Sequence, residues 1–167
     1  MKQFKINDEL INKIKKLIES KDRERLSSSL ADIHYADLAE IFELLETTEV
    51  IFLVKIFDKH KIADALAEID EDLREIILEK LSAKEIAEKI VELDTDDATD
   101  VISELTEERQ ERVFSQIKDA ELTGDIKELL KYDEDTAGGL MAKELVSVSE
   151  NLSISKCLDE IRKQAKS

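Results

Sequence analysis

The sequence predicts an all-α fold, a superhelix of short helical hairpins, and three observations carry that prediction. Apolar residues recur every 24 positions at several phases: Ile18, Phe42, Leu66, Ile90 and Phe114 form one column, Ile33, Phe57, Leu81, Leu105 and Leu129 a second, and Leu45, Ile69, Leu93 and Ile117 a third. A period of this length belongs to stacked hairpins, each of which needs a neighbour to cover its apolar face. The 167 residues include no Pro and only three Gly, and the 42% apolar share is mostly Leu, Ile, Val and Ala, which favours helix on propensity alone. Finally, Ala39, Ala63 and Ala87 repeat in the same 24-residue frame, as a close helix crossing at one point of each hairpin requires.

The elements follow in order. Leu10, Ile11, Ile14, Leu17 and Ile18 lie at helical spacing between Asp8 and Glu19, with Asn7 placed to cap them. After a polar break from Ser20 to Glu24, Arg25 to Ile33 starts the regular hairpins. Asp37 opens a helix carrying Leu38, Ile41, Phe42 and Leu45, and the next begins near Thr48 with Val50, Leu53, Val54 and Phe57. The unit returns as Ile62, Ala63, Leu66 and Ile69 followed by Leu73, Ile76, Ile77 and Leu81. It returns again as Ile86, Ala87, Ile90 and Leu93 followed by Ala98, Val101, Ile102 and Leu105. A looser fourth copy runs from Glu107 through Val113, Phe114 and Ile117 to Leu122, Ile126, Leu129 and Leu130. Helices of about ten residues are not stable alone in water, so the apolar columns are the packing that holds them.

The texture changes after Leu130. Tyr132 to Met141 holds two of the three glycines and reads as a turn; Gly138 and Gly139 lack the strand, Lys and Ser/Thr of a phosphate loop. Leu145 to Ser149 alternates like a short strand, and Ser153 caps a helix carrying Ile154, Cys157, Leu158 and Ile161. One strand and one helix cannot make a core. The expected division is therefore a helical domain over 1–131, a junction over 132–141, and the truncated β-α opening of a second domain over 142–167.

The formal charge of −16 repels phosphate backbones and anionic leaflets, so nucleic acid and the membrane surface are not expected partners, whereas cations are attracted. Cys157 is the only cysteine, which excludes an internal disulfide and fits a reducing interior; a buried structural thiol is expected. Met1 to Asn7 lacks a signal-peptide pattern, and the run Val50 to Val54 is far short of the ~20 apolar residues that span a bilayer. The chain is expected in the cytosol, with no membrane insertion of its own.

The densest acidic stretch is Asp94, Thr95, Asp96, Asp97, Ala98, Thr99, Asp100. With a helix beginning near Asp96, the Asp96 and Asp100 carboxylates share one face and repel. A hard cation such as Mg2+, which keeps several waters and needs only one or two carboxylates, would relieve that repulsion. The absence of clustered His or Cys argues against zinc. Capping of the helix by Asp94, Thr95 or Asp96, with Asp97 favouring its positive end, explains the same residues, and on residue chemistry alone both readings stand. Asp64 sits on the equivalent helix one repeat earlier, as a further candidate or as part of a solvated face. Asp133, Glu134 and Asp135 read as solvated or capping groups. His34 and His60 are 26 positions apart, out of phase with the repeat and without matching ligands. No nucleophile, base and orienting acid can be assembled, so no enzyme is expected.

Tyr132, Asp135, Thr136, Ala137, Gly138, Leu140 and Met141, following a stack of short acidic helices, resemble the junction of MgtE-type magnesium transporters. Leu140 to Arg162, with Met141, Val146 and Val148, looks like the first strand and helix of a CBS domain. In that family a cytosolic helical N domain precedes paired CBS domains and a membrane pore domain. The resemblance implies a regulatory Mg2+ sensor: Mg2+ bound between acidic residues holds the N domain against the CBS domains and closes the pore. It implies Asp96 and Asp100 as leading ligands, with Asp97, Asp94 and Asp64 behind them. It further implies the CBS and pore domains of the same protein as partners, a homodimer of the full protein, and a place on the cytoplasmic side of an inner or plasma membrane. The competing reading is a metal-independent interaction module resembling the armadillo-like domains of flagellar motor switch proteins.

Overall fold

The structure, a computed structural model, describes residues 6–57, 59–133 and 135–164, so Glu134 and most of the N-terminal stretch tested for a signal lie outside the described residues. Eleven helices are described: α1 Asp8–Glu19, α2 Arg23–Leu30, α3 Tyr35–Glu43, α4 Thr47–Ile56, α5 Lys59–Glu68, α6 Glu71–Glu79, α7 Ala83–Ile90, α8 Thr95–Ser103, α9 Glu107–Phe114, α10 Ala120–Leu129 and α11 Ile154–Gln164. The period is visible in where helices begin. Tyr35, Lys59, Ala83 and Glu107 start one series 24 residues apart, and Arg23, Thr47, Glu71 and Thr95 start the other. α10 begins one residue late.

Capping chemistry sets these starts. Asn7, Asp22, Asp70 and Asp119 each accept a backbone N–H of the helix they precede, while Ser82 with Glu85 and Glu46 with Glu49 form capping boxes. Two boundaries move from expectation for this reason. α2 begins at Arg23 because Asp22 caps it, and α3 begins at Tyr35 because His34 Nδ1 accepts from the Ala36 N–H at 3.3 Å. α3, α5, α7 and α9 pack side by side in one row; α4 lies on α6 and α8 on α10 in the other, with α1 laid across α2 and α4. The repeat columns form the core between the rows: Phe42, Leu66, Ile90 and Phe114 are buried, as are Ala39, Ala63 and Ala87 at the crossings.

The second row of constraints is polar. Helices this short leave several carbonyls without partners at each C-terminus. Lys61 reaches from α5 to Leu30 and Ala31 at the end of α2, 2.8 and 2.7 Å away. Arg109 on α9 donates to Leu78 and Leu81 after α6, and Gln110 to Ile102 and Leu105 after α8. Arg74 stands in a column whose other members include Val50 and Ala98, and it is 6% exposed. Its guanidinium serves Leu66, Ala67 and Ile69 at the end of α5, and its Nε lies 2.6 Å from Glu104.

Beyond α10 the chain departs from expectation. Among the described residues no strand forms over 145–149, because a strand needs a paired neighbour; only Ser147 finds one, exchanging backbone bonds with the Gln164 carboxamide at 3.1 and 2.8 Å. α11 buries no residue, and Cys157 is half-buried rather than buried. The junction is ordered by its own side chains: the Tyr132 ring lies against Gly138, where a Cβ would come within 2.5 Å of it, and Thr136 bonds Asp133 and Gly139.

Arg74 joins four groups, whereas Glu104 joins one. Burial holds the Glu104 carboxyl above its ordinary range, against the hydrogen bond and charge of Arg74, and its Oε2 is buried without a hydrogen-bond partner. Arg74→Met is therefore expected to destabilise the fold by about 3 kcal/mol, and Glu104→Gln by less than about 1 kcal/mol, as urea midpoints will measure. Equal losses would contradict the capping role of Arg74.

Candidate functional site

The acidic residues singled out in the sequence gather where α5 meets α8, two helices in direct contact; Asp64, expected on the helix one repeat before α8, instead stands on α5 of the other series, since the helix 24 residues before α8 is α6. α8 begins at Thr95, with Asp94 in the position that Asp70, Glu46 and Asp22 occupy one, two and three repeats earlier. Unlike Asp22 and Asp70, Asp94 makes no side-chain cap bond. Its carboxylate is left exposed at the helix start. Asp96 is half-buried, and Asp97 and Asp100 are exposed along the next turn.

The electrostatics join the two helices. Asp97, although its side chain reaches solvent, is held above the ordinary Asp value first by partial desolvation and then by Asp96, Asp94, Asp100 and Glu68 of α5. Asp64 is raised first by burial; His60 and His34 oppose the shift, while Asp94 and Glu68 add to it. Neither Asp64 nor Asp97 is paired with Lys or Arg among the described residues. Asp64, Glu68, Asp94 and Asp97 thus form one field of mutual repulsion across the helix contact. Glu68 is a member that sequence reasoning missed, although it stands four residues after Asp64 on one helix face, the same spacing that linked Asp96 with Asp100.

Asp100 also faces a second environment. With Thr99, Ser103, Tyr132, Asp133 and Asp135 it lines a hollow of about 380 Å3 between α8, α10 and the junction. Asp133 and Asp135, expected to be solvated, are exposed but share that hollow with Asp100, while Glu134 lies outside the described residues. The two histidines play local parts: His34 caps α3, and His60 Nδ1 lies 2.7 Å from Glu92.

The start of α8 is clasped by the segment that follows the junction. Thr95, 3% exposed, donates its N–H and its hydroxyl to the two carboxylate oxygens of Glu144, each at 2.9 Å, and its hydroxyl accepts the Lys143 N–H at 2.8 Å. Thr99 closes the turn by donating to the Thr95 carbonyl at 2.6 Å. Lys143 extends the clasp to Glu128 of α10 at 3.0 Å. The carboxylate of Glu144 meets the positive end of the helix, a favourable place for an anion. No sequence signal pointed to Glu144, which is 49 residues from its partner.

The donor set on this edge is all carboxylate and hydroxyl oxygen, suited to a hard divalent cation. Among the described residues no three His, Cys, Asp or Glu side chains stand close enough to enclose a metal. An ion held here by one or two carboxylates would keep waters or take ligands from another surface, as Mg2+ does readily.

The family described as MgtE intracellular N domain matches residues 33–135. Among solved structures, the chain is similar to the soluble part of a magnesium transporter, at 22% identity and a TM-score of 0.82, covering 95% of this chain and 62% of that one. It is also similar to the cytosolic domain of the Mg2+ channel MgtE in complex with ATP, at 24% identity and a TM-score of 0.82, covering 93% of this chain and 64% of that one. At these identities the likeness shows the shared fold, and the chain spans less than two thirds of either structure. No curated protein matches it. Among the described residues no helix is long and apolar enough to cross a membrane.

Two outcomes follow. Because Asp64 and Asp97 bind protons more tightly folded than unfolded, their contribution at neutral pH opposes folding, and it disappears as pH falls through the folded and then the unfolded pKa. Asp97→Asn is thus expected to raise the urea midpoint at pH 7 and to have little effect once the carboxyl is protonated; a loss of stability at pH 7 would refute the repulsion. Thr95→Val removes a buried hydroxyl that both donates and accepts, and is expected to cost about 1–3 kcal/mol. Amide exchange should then quicken at Lys143, whose N–H loses its acceptor.

Proposed function

Because the chain belongs to the family of MgtE intracellular N domains, we propose that it serves as the Mg2+-sensing regulatory unit of a magnesium transporter, biasing the pore by ion-bridged docking onto CBS domains. The family is one of transporter domains, not of enzymes. The observation that carries the proposal is the carboxylate repulsion across the contact of α5 and α8: Asp97 feels Asp96, Asp94, Asp100 and Glu68, and Asp64 feels Asp94 and Glu68, offset in part by His60 and His34.

A bound Mg2+ would supply charge neutralisation. The chain supplies the rest. Asp96 and Asp100 lead as ligands, supported by Asp97, Asp94 and Asp64, and further ligands come from the facing domain. When the ion is scarce, these carboxylates repel an acidic partner surface; when it is abundant, the same carboxylates share ions with that surface and the docked state gains population. An ion that binds only the docked state, at ~100 times its dissociation constant, contributes about 2.7 kcal/mol per site, so a few weak sites suffice for a switch.

The domain reading forms part of the proposal: a helical domain over 1–131, a junction over 132–141, and the opening of a CBS domain over 142–167. Support comes from the apolar side chains left exposed after the junction, Leu145, Ile154, Leu158 and Ile161 among them, which the remainder of a second domain would cover. The CBS and pore domains of the same protein are the proposed partners, within a homodimer on the cytoplasmic side of the membrane.

In a chain extended through both CBS domains, Asp96→Ala combined with Asp100→Ala is expected to weaken the compaction that Mg2+ induces, followed by small-angle scattering against Mg2+ concentration. A scattering response identical to that of the unsubstituted chain would overturn the assignment of these two residues.

A further inference from the structure

The far end of the stack is less acidic than the rest. Residues 1–25 hold eight of the 25 Lys and Arg but only five of the 41 Asp and Glu, whereas residues 26–50 hold six acids and no Lys or Arg. Over residues 6–25 there are six Lys and Arg and five Asp and Glu, and α1 and α2 line an open groove of about 780 Å3. That volume falls in the range of small-molecule sites, ~300–1,000 Å3.

We infer that this groove binds a phosphate-bearing anion, through Lys13 and Lys16 of α1 and Arg25 of α2. Lys13 and Lys16 are three residues apart, so their ammonium groups fall on one side of α1. Neither has an ion-pair partner among the described residues. Arg25 has only Asp22, 3.4 Å from its Nε, and its side chain is 79% exposed, so the rest of its guanidinium remains open to an oxyanion. Asn12 and Ser29 add neutral donors on the two walls. Ser20 and Ser28 also line the groove but already donate their hydroxyl protons to the Leu17 and Glu24 carbonyls. Glu9 is the one carboxylate in the lining.

The overall charge of −16 argues against anion binding only where its field reaches. α1 packs on α2 and α4, and α4 is two helices from α8 along its row. Two interaxial spacings of ~8–10 Å each put the acidic edge of α8 beyond the ~8 Å Debye length of physiological salt. Within the groove lining, three cations stand against the single carboxylate of Glu9.

The intact chain in Mg2+-free buffer, titrated with inorganic pyrophosphate and followed by amide NMR, tests this directly. Shifts are expected to concentrate on residues 12–29, and the surface pair Lys13→Glu with Lys16→Glu should weaken binding about tenfold or more while leaving the rest of the spectrum unchanged. Phosphatidylcholine vesicles with and without phosphatidylglycerol identify the source. Lys13- and Lys16-dependent binding to the anionic vesicles assigns a lipid headgroup; a pyrophosphate response with none to vesicles assigns a soluble phosphate. No response to either, or a response that survives both charge reversals, overturns the site. The readout involves neither Mg2+ nor the contact of α5 with α8, so it fails or holds independently of the sensor proposal.

Discussion

Every helix in the repeat is too short to be stable without help, and the fold is organised around supplying that help at both ends of each helix. The apolar columns bury one face, but burial does nothing for the carbonyls that a C-terminus leaves unmade. Lys61, Arg74, Arg109 and Gln110 meet that need from other helices, so each is at once a cap and a tie between helices. This explains how a long cationic side chain can stand in a core column: Arg74 exchanges a methyl-sized contact for three carbonyls and a carboxylate. The acidic edge rests on the frame that these ties make rigid.

Rigidity matters because repulsion is useful only if the charged groups cannot move apart. α5 and α8 are fixed by the core through Ala63, Ala65, Ala98 and Ile102, all buried, which keeps Asp64 and Glu68 facing Asp94 and Asp97. The release of Asp94 from capping duty adds one more uncommitted carboxylate. Glu144 brings another into the same neighbourhood, stabilised there by the Thr95 N–H and hydroxyl. The segment after the junction is therefore attached to the acidic edge, where a change in local charge is felt by the chain that leads onward from the stack.

Most of the fold was legible because its information is local and repeated. The 24-residue columns, the Asp and Ser caps and the absence of Pro all point to the same hairpins, and the boundaries of α1 follow from Asn7 and the spacing of Leu10 to Ile18. Where reading fell short, the deciding partner was remote or unusual. His34 is not a standard cap, so α3 was placed late. Strand alternation over Leu145 to Ser149 is a pattern that needs a neighbour to become a strand. The acidic edge was legible in α8 and in Asp64, and Glu68 could have been found by the same i, i+4 argument. Glu144 could not, since nothing in its own surroundings distinguishes it from any solvated acid.

The two ends of the stack differ from its interior, and that difference has an energetic meaning. In a nearest-neighbour array, interior units have two interfaces and terminal units one, so unfolding starts from whichever end is less well covered. Here α1 lies across α2 and α4 at one end, while the Lys143–Glu144 segment bridges α10 and α8 at the other. The first cover is a helix with apolar contacts; the second is a handful of polar bonds. Fraying should therefore run inward from α10, and the clasp would set how often the last hairpin opens.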